Sequence, residues 1–539
     1  MDKSQRTNVH RAVRAAFNSK IATITKGDLI IAKHFVPTGR GRDQHTPQHS
    51  WKSLGGDFIH FTLYKENKET IEAISSIARI LNAKVSDFGT AGTKDRRAVT
   101  SQRVSIRYRR PDDLIKVNQL VRDVRVGDFE FHWNGLQLGN LKGNEFVIVL
   151  KDCHLLHSGS AVLSAEEQLE NLKVCVQNAM ISVRKHGFLN YYGLQRFGTS
   201  ATGTHEIGKE ILRGNFKGAV DLLLSYDSDL VKQNDKDSAS HNAGNIVRAK
   251  ACALFKESWS AEDAQKARRI LPRRFRVELT ILEHLATSPL DYLGAILKLP
   301  RQLRTIYVHG YQSWVWNYAT SKRWELFGSN VVEGDLVLMD KGSGHEDTNL
   351  VDQDGEVVVN PRQIDKFQCA RPLDAVDIQS GCFSINDIVL PLPGWDIVYP
   401  SNQVGEFYKE FMQRETSGSL DAQNMRRNQK DFSLSGSYRK IIGHFMGKSS
   451  WEVAPYSSYE DQLVQTDLDR AEANIKAKEL HQEQKETRLM NEKAEEQKLA
   501  VILNFQLPSS AYATMALREL VGITPLADSL SVVENEMVS

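Results

Sequence analysis

The stretch AGTKDRRAVTSQR, Ala91 to Arg103, concentrates residue types able to act on a charged substrate. A single acid, Asp95, stands between Lys94 and the pair Arg96 and Arg97 in a loop led by Gly92. A carboxylate in that company can serve as nucleophile or base beside a phosphate-bearing substrate, the nearby cations favouring its ionised form. The same residues also describe an ordinary turn with a surface ion pair, the commoner fate of an Asp in such a loop. Basic groups recur in RYRR (Arg107 to Arg110), ARRILPRRFR (Ala267 to Arg276) and MRRNQKDFSLSGSYRK (Met425 to Lys440), interleaved with Phe275, Phe432 and Tyr438. Arg and Lys grouped with aromatic rings suit phosphate contacts and base stacking, so RNA or DNA is the partner class this pattern favours. The patterns G-x-x-x-x-G-K-[ST], G-x-G-x-x-G and H-E-x-x-H do not occur, which removes the minimum residues for phosphate-loop, dinucleotide and zinc-protease chemistry.

The elements that must position Asp95 are legible around it. DFIHFTLYKEN (Asp57 to Asn67) alternates Phe58, His60 and Thr62 against Ile59, Phe61 and Leu63, a strand pattern. KETIEAISSIARILNAK follows, with Ile71, Ile74, Ile77, Ala78 and Leu81 on one helical stripe. Beyond the loop, Val104, Ile106 and Tyr108 share one face and Ser105, Arg107 and Arg109 the other, so Asp95 is expected on a turn between half-buried strands. NEFVIVL (Asn144 to Leu150) reads as another strand. Ser164 and Glu167 form a capping box for a helix with Leu169, Leu172, Val176 and Val183 on its apolar side and Gly187 as its stop. This first block is α+β. From about Asn190 the texture changes to helical segments, short strands and long polar loops, the mark of a second unit. The charged stretch Tyr459 to Lys498 reads as a solvated helix or mobile insertion. After it Val501, Leu503, Phe505 and Leu507 alternate and AYATMALREL reads as a helix, so the chain is expected to return to the first core.

At 539 residues the chain exceeds what one small core requires, so at least two units or a large insertion are expected. A net charge of +2 excludes a polycation and leaves any nucleic-acid site to local patches. The five cysteines, Cys153, Cys175, Cys252, Cys369 and Cys382, are odd in number and never spaced as C-x-x-C, so neither a disulfide framework nor a structural metal is expected. The N-terminus lacks the apolar core of a secretory signal, and nowhere do about eighteen uncharged apolar residues run together, so no membrane partner is expected and the reading is cytosolic or nuclear. Its basic start also fits a transit peptide, but Val9 to Phe17 reads as a short surface helix.

FGTAGTKDRRAVTSQRVSI resembles the central motif of the TruD-type pseudouridine synthases, in particular their eukaryotic branch. Further stretches match in the same order: HFTLYKENKETIEAI, LGNLKGNEFVIVL, GFLNYYGLQRFG, YVHGYQSWVWN with VLPLPGWDI, and FSLSGSYRK followed by AYATMALREL. The resemblance implies an α+β pseudouridine synthase core of mixed sheet and helices, in two parts (57–189 and 424–525), interrupted by the family's insertion domain at 190–423. An N-terminal extension (1–56) and a C-terminal tail (526–539) flank them, and the charged stretch 459–498 lies in the second part. It implies an enzyme without cofactor or metal that isomerises specific uridines. Transfer-RNA uridine 13 is the first expectation, with small nuclear and messenger RNAs as further substrates. Nucleus and cytoplasm are the expected locations, and nothing in the sequence argues against a monomer.

By the same resemblance Asp95 stands where the family has its catalytic aspartate, acting as nucleophile or base. Phe146 matches an active-site aromatic able to stack on a flipped base, and Asn144 a polar neighbour able to orient Asp95 or substrate. Lys94, Arg96 and Arg97 are expected to hold the RNA, the two arginines through phosphates. Asn190, Gln195 and Arg196, with Tyr191, are candidates for closing the cleft on the substrate, and a purely structural role is open for each; the same holds for His309 and Gln312. One element of the family is not found: a basic residue preceding an S/T-D-F-x-V-x-E-I-like strand. TITKGDLIIAKHF (Thr23 to Phe35) is only a loose echo. The expectation is therefore an N-terminally shortened chain, or one that has lost a strand and the cation beside Asp95, with Lys20 or Lys26 as substitutes. The alternative function is a catalytically weak RNA-binding or RNA-folding protein of the same fold.

Overall fold

The computed structural model describes residues 54–155, 164–198, 202–232, 243–339, 369–479 and 498–522, the strands at 21–26 and 29–34, and a few isolated positions before residue 54. The Val9–Phe17 helix reading, Lys20, the end of the charged stretch (480–497) and the C-terminal tail fall wholly or mostly outside these residues.

TITKGDLIIAKHF folds back on itself: β1 (Ile21–Lys26) pairs antiparallel with β2 (Leu29–His34) in a two-stranded sheet of its own. β3 (Phe58–Glu66) lies inside a four-stranded antiparallel sheet of order β4-β5-β3-β6, completed by β4 (Phe88–Thr90), β5 (Val99–Arg107) and β6 (Val124–His132). Ile59, Phe61 and Leu63 project from one face of β3 and pack with Val104, Ile106 and Val126 against Ala73, Ile74 and Ile77 of α1 (Thr70–Ile80). The alternation of β3 thus buries a complete row, as a period of two requires. Two expected stripe members differ. Ile71 faces solvent, because the buried side of α1 is carried by Thr70, Ala73, Ile74, Ile77 and Ala78. Tyr108 leaves the strand with φ 55°, and its hydroxyl donates to Asp57 (3.1 Å) instead of continuing the row of Val104 and Ile106.

β7 (Gly143–Leu150) belongs to a second sheet of order β14-β15-β7, where it pairs antiparallel with a strand more than 340 residues later. α2 (Ala165–His186) covers this sheet; Ser164 and Glu167 exchange hydrogen bonds at its start (2.8 and 3.2 Å), and Gly187 ends it at φ 76°. β8 (Phe188–Leu189) then leads into a mostly helical region. There α3 (Thr204–Arg213) packs on the 27-residue α4 (Arg301–Phe327), which runs through the largest core of the molecule. The short strands β9 (Leu336–Leu338), β10 (Ala370–Pro372) and β11 (Ile388–Leu392) form a sheet of order β10-β9-β11-β12 with β12 (Ser437–Lys440), and α5 (Gln403–Gln413) packs on α4. β13 (Ile442–Gly443) pairs with β8, and β14 (Met446–Tyr456), β15 (Lys498–Pro508) and α6 (Ala513–Val521) complete the second sheet and its helical cover. The described part of the charged stretch includes a helix, Asp467–Glu479, and Asp467 accepts a hydrogen bond from Ser101 of β5 (2.6 Å). The fold is α+β, and it sets two antiparallel sheets side by side with a helix-rich body joined to them through β8, β12 and β13.

Candidate active site

Asp95 sits on the connection between β4 and β5, and this loop is fastened from beneath. The Gln102 amide donates to the Gly92 carbonyl (3.0 Å) and accepts from Thr70 Oγ1 (3.0 Å), which in turn accepts from the Lys94 backbone N–H (3.0 Å). Gly139 donates to the Ala91 carbonyl (2.9 Å), so the segment after β6 holds the loop's other side. Lys65, fully buried at the end of β3, donates through Nζ to the carbonyls of Asp95 (2.7 Å) and Lys94 (3.3 Å). The Lys94 ammonium reaches across to Asn144 Oδ1 (2.7 Å) and so links the Asp95 loop on the first sheet to β7 on the second.

The Asp95 carboxylate itself is exposed and makes no hydrogen bond or ion pair with the described residues. The surface-pair reading of this acid is therefore not what the chain builds. Burial draws both Lys65 and Lys94 below the usual lysine range, and the Asp95 charge opposes that shift in each. Two partly desolvated cations thus lie near the Asp95 loop, while the oxygens of Asp95 stay open to a ligand.

A cation under the Asp95 loop was not foreseen: Lys65 of β3 supplies it, bonded to the loop's backbone carbonyls. The signal was in HFTLYKEN: Lys65 has the parity of Ile59, Phe61 and Leu63, and a charged residue on the buried side of a strand needs a buried partner. Thr70 and Gln102 were also missed. They are polar residues whose role appears only when helix α1 and strand β5 meet.

Phe146 lies on the same face of β7 as Asn144, half-buried, with its ring 5.8 Å from that of Phe505. Arg96 and Arg97 are exposed and make no hydrogen bond or ion pair with the described residues. The structure thus brings Asp95, Lys94 and Asn144 together, with Phe146 two residues along the same face of β7 and the two arginines exposed on the loop.

Four of the remaining candidates, Asn190, Arg196, His309 and Gln312, line a cleft of about 540 Å³ between the helix-rich body and the second sheet. Pro508 lines it, and Pro508 pairs with Gly143, the residue before Asn144. Asn190 lines the cleft, but its carbonyl and Oδ1 accept from Arg439 (2.9–3.0 Å) and its amide donates to the Lys440 carbonyl (3.1 Å). Arg439 is stacked over Tyr192, 4.2 Å from the ring centroid. Arg196 also lines the cleft yet is buried, donating from Nε to Ser313 Oγ (3.4 Å). Gln195 is exposed and outside the cleft lining. His309 and Gln312 line it while bonded to each other (2.7 Å), and Gln312 donates to the Pro393 carbonyl (2.6 Å). Sequence reasoning missed Arg439 and His444 as cleft residues; His444 is bonded to Asn386 Oδ1 (2.6 Å).

The profile of the family tRNA pseudouridine synthase D (TruD) matches residues 40–520. Multisubstrate pseudouridine synthase 7 of Schizosaccharomyces pombe is 38% identical over 530 residues, covering 96% of this chain and 70% of that protein. The pseudouridylate synthase 7 homolog of Homo sapiens is 33% identical over 523 residues, covering 96% and 67%. The crystal structure of TruD from Methanosarcina mazei superposes with a TM-score of 0.54 at 22% identity over 87% of this chain and 89% of that one, a likeness of fold. The chain therefore belongs to the TruD family of pseudouridine synthases, isomerases that convert uridine to pseudouridine in RNA.

Proposed function

We propose that Asp95 is the catalytic carboxylate and that the chain acts as a monomer on transfer RNA, at uridine 13, and on small nuclear and messenger RNAs, in nucleus and cytoplasm. The observation that carries this reading is the exposed Asp95 carboxylate, free of any ion pair among the described residues, on a loop pinned by buried Lys65. The range of RNAs rests on the S. pombe relative, which is named a multisubstrate enzyme.

The reaction breaks the bond from ribose C1′ to N1 of uracil, turns the base and joins C1′ to C5, the proton lost from C5 being matched by one gained at N1. Asp95 supports it by attacking the substrate or by removing a ribose proton, and its exposed oxygens are open to the substrate in either role. The target uridine must leave its stack, at a cost of a few kcal/mol. Phe146 offers a ring to the flipped base, Lys94 and Asn144 polar contacts, and Arg96 and Arg97 bind backbone phosphates. Asn190 and Arg196 shape the cleft wall through the bonds they make with protein, and Gln195 contacts RNA outside it.

The test is pseudouridine formation on cellular transfer RNA and on messenger-RNA fragments by the chain and by Asp95→Asn. We expect the variant to lose product at least about a thousandfold while RNA affinity is kept. A folded parent chain that binds RNA without forming product would favour the alternative of an RNA-binding or RNA-folding protein.

A further inference from the structure

A second hollow, a groove of about 600 Å³, lies on the far side of the cleft's wall. Lys430 and Asp431 line the cleft, whereas Gln429 and Phe432 line the groove, so one short helical turn, Lys430–Phe432, separates the two. Three arginines line the groove, Arg213, Arg426 and Arg427, against a single lining carboxylate, Asp421. Arg213 is paired with Glu210 (3.3 Å) and is electrically satisfied.

Arg427 is not. It is half-buried, and its guanidinium donates to the carbonyls of Leu212 (2.8 Å), Asn424 (2.7 Å) and Arg426 (2.6 Å), with no ion pair among the described residues. Burial works against its charge, and no carboxylate opposes that effect. A desolvated cation whose partners are all neutral is stabilised by an anion entering the groove. Arg426 stands at the rim, exposed, its guanidinium 3.8 Å from the centre of the Trp395 ring. That stacking fixes the plane of the guanidinium and leaves its donor edge free for a phosphate. Asn424, Asn428 and Gln429 add amides able to meet sugar or base edges.

We propose that this groove is an RNA-binding site away from Asp95, which seats the phosphate backbone of a strand crossing the Lys430–Phe432 turn from the neighbouring cleft. The inference rests on RNA being the substrate and extends its contact surface away from Asp95.

Binding is measured in the full chain carrying Asp95→Asn, so that turnover does not enter and a failure of the catalytic assignment leaves the readout intact. The probes are a folded transfer-RNA transcript and a uridine oligomer about five nucleotides long, too short to span both hollows. Adding Arg426→Glu is expected to weaken transcript binding about tenfold and to make its salt dependence shallower by about 0.7 to 0.9 in log–log slope for each phosphate lost. Oligomer binding should not change. Arg426→Gln, which introduces no new charge, should act in the same direction and less strongly, and serves if the reversal disturbs folding. Transcript binding with unchanged affinity and slope, or a loss of equal size on the oligomer, would overturn the proposal.

Discussion

Lys65 occupies the side of β3 that Ile59, Phe61 and Leu63 turn into the core, and it is 0% exposed. Its ammonium is bonded to two backbone carbonyls of the Asp95 loop, so its work is to hold the loop and to bring positive charge to the backbone of Asp95. Lys65→Met keeps the length of the side chain and removes both effects. Relief from burying a charge and loss of two hydrogen bonds oppose each other, so unfolding free energy should stay within about 1 kcal/mol of the parent. The rate should fall up to about a hundredfold, because a displacement of the loop by an ångström is enough to spoil the reacting geometry. Urea unfolding and single-turnover pseudouridine formation check the two halves, and an unchanged rate would show that Lys65 does not position the Asp95 loop for catalysis. Asp95 was legible as a candidate from its neighbours in sequence, whereas the state of its oxygens was not. Whether Lys94, Arg96 or Arg97 would neutralise it depends on where a turn aims each side chain, and the turn aims Lys94 at Asn144 and leaves both arginines in solvent.

At the scale of elements, α4 carries a buried bidentate pair. Arg323, 0% exposed, donates from Nε and Nη2 to Asp335 (2.9 and 2.8 Å), which is 1% exposed, and also caps the Gly328 carbonyl at the helix end (3.0 Å). The pair binds the C-terminus of α4 to the turn before β9. Asp335→Ala strands a guanidinium in the interior and should cost about 3 to 5 kcal/mol, measured as a lowered urea midpoint. A loss below about 1 kcal/mol would mean that water reaches Arg323. The helices and strands around the site follow local rules: the Ser164–Glu167 box opens α2, and the alternation of β3 buries its row. Local rules fail at the junctions. Ile71 has the spacing of an apolar stripe, but the sheet beneath α1 covers the adjacent arc, and Tyr108 has the parity of a strand residue, but its bond to Asp57 bends the chain away.

For the whole molecule, His205 couples stability to acidity. Its ring is half-buried between Phe197 and Trp314, with Nδ1 lacking a partner and Nε2 3.4 Å from Glu206, and desolvation, aided by Lys209 and opposed by Glu206, lowers its pKa to about 4. Between about 6.5, the value in an unfolded chain, and about 4, the unfolded state takes up a proton that the folded state refuses. Stability is therefore full above the upper value and falls as pH drops through that window, by roughly 3 kcal/mol in all. His205→Phe should flatten this part of the pH profile of global unfolding, and a profile that keeps its slope would place the acid sensitivity elsewhere.

The sequence by itself determined the local elements of the first block, the loop that carries Asp95 and the likeness to a family of RNA-modifying isomerases, because periodicity, caps and motifs are properties of near neighbours along the chain. Tertiary structure decided the rest. The register of β15 against β7, the reach of Lys94 to Asn144, the burial of Lys65 beneath Asp95 and the withdrawal of Arg196 into protein contacts all join residues that are distant in sequence or set apart by a turn. Such contacts are selected by the packing of whole faces, so the residue types were visible in advance while their partners were not.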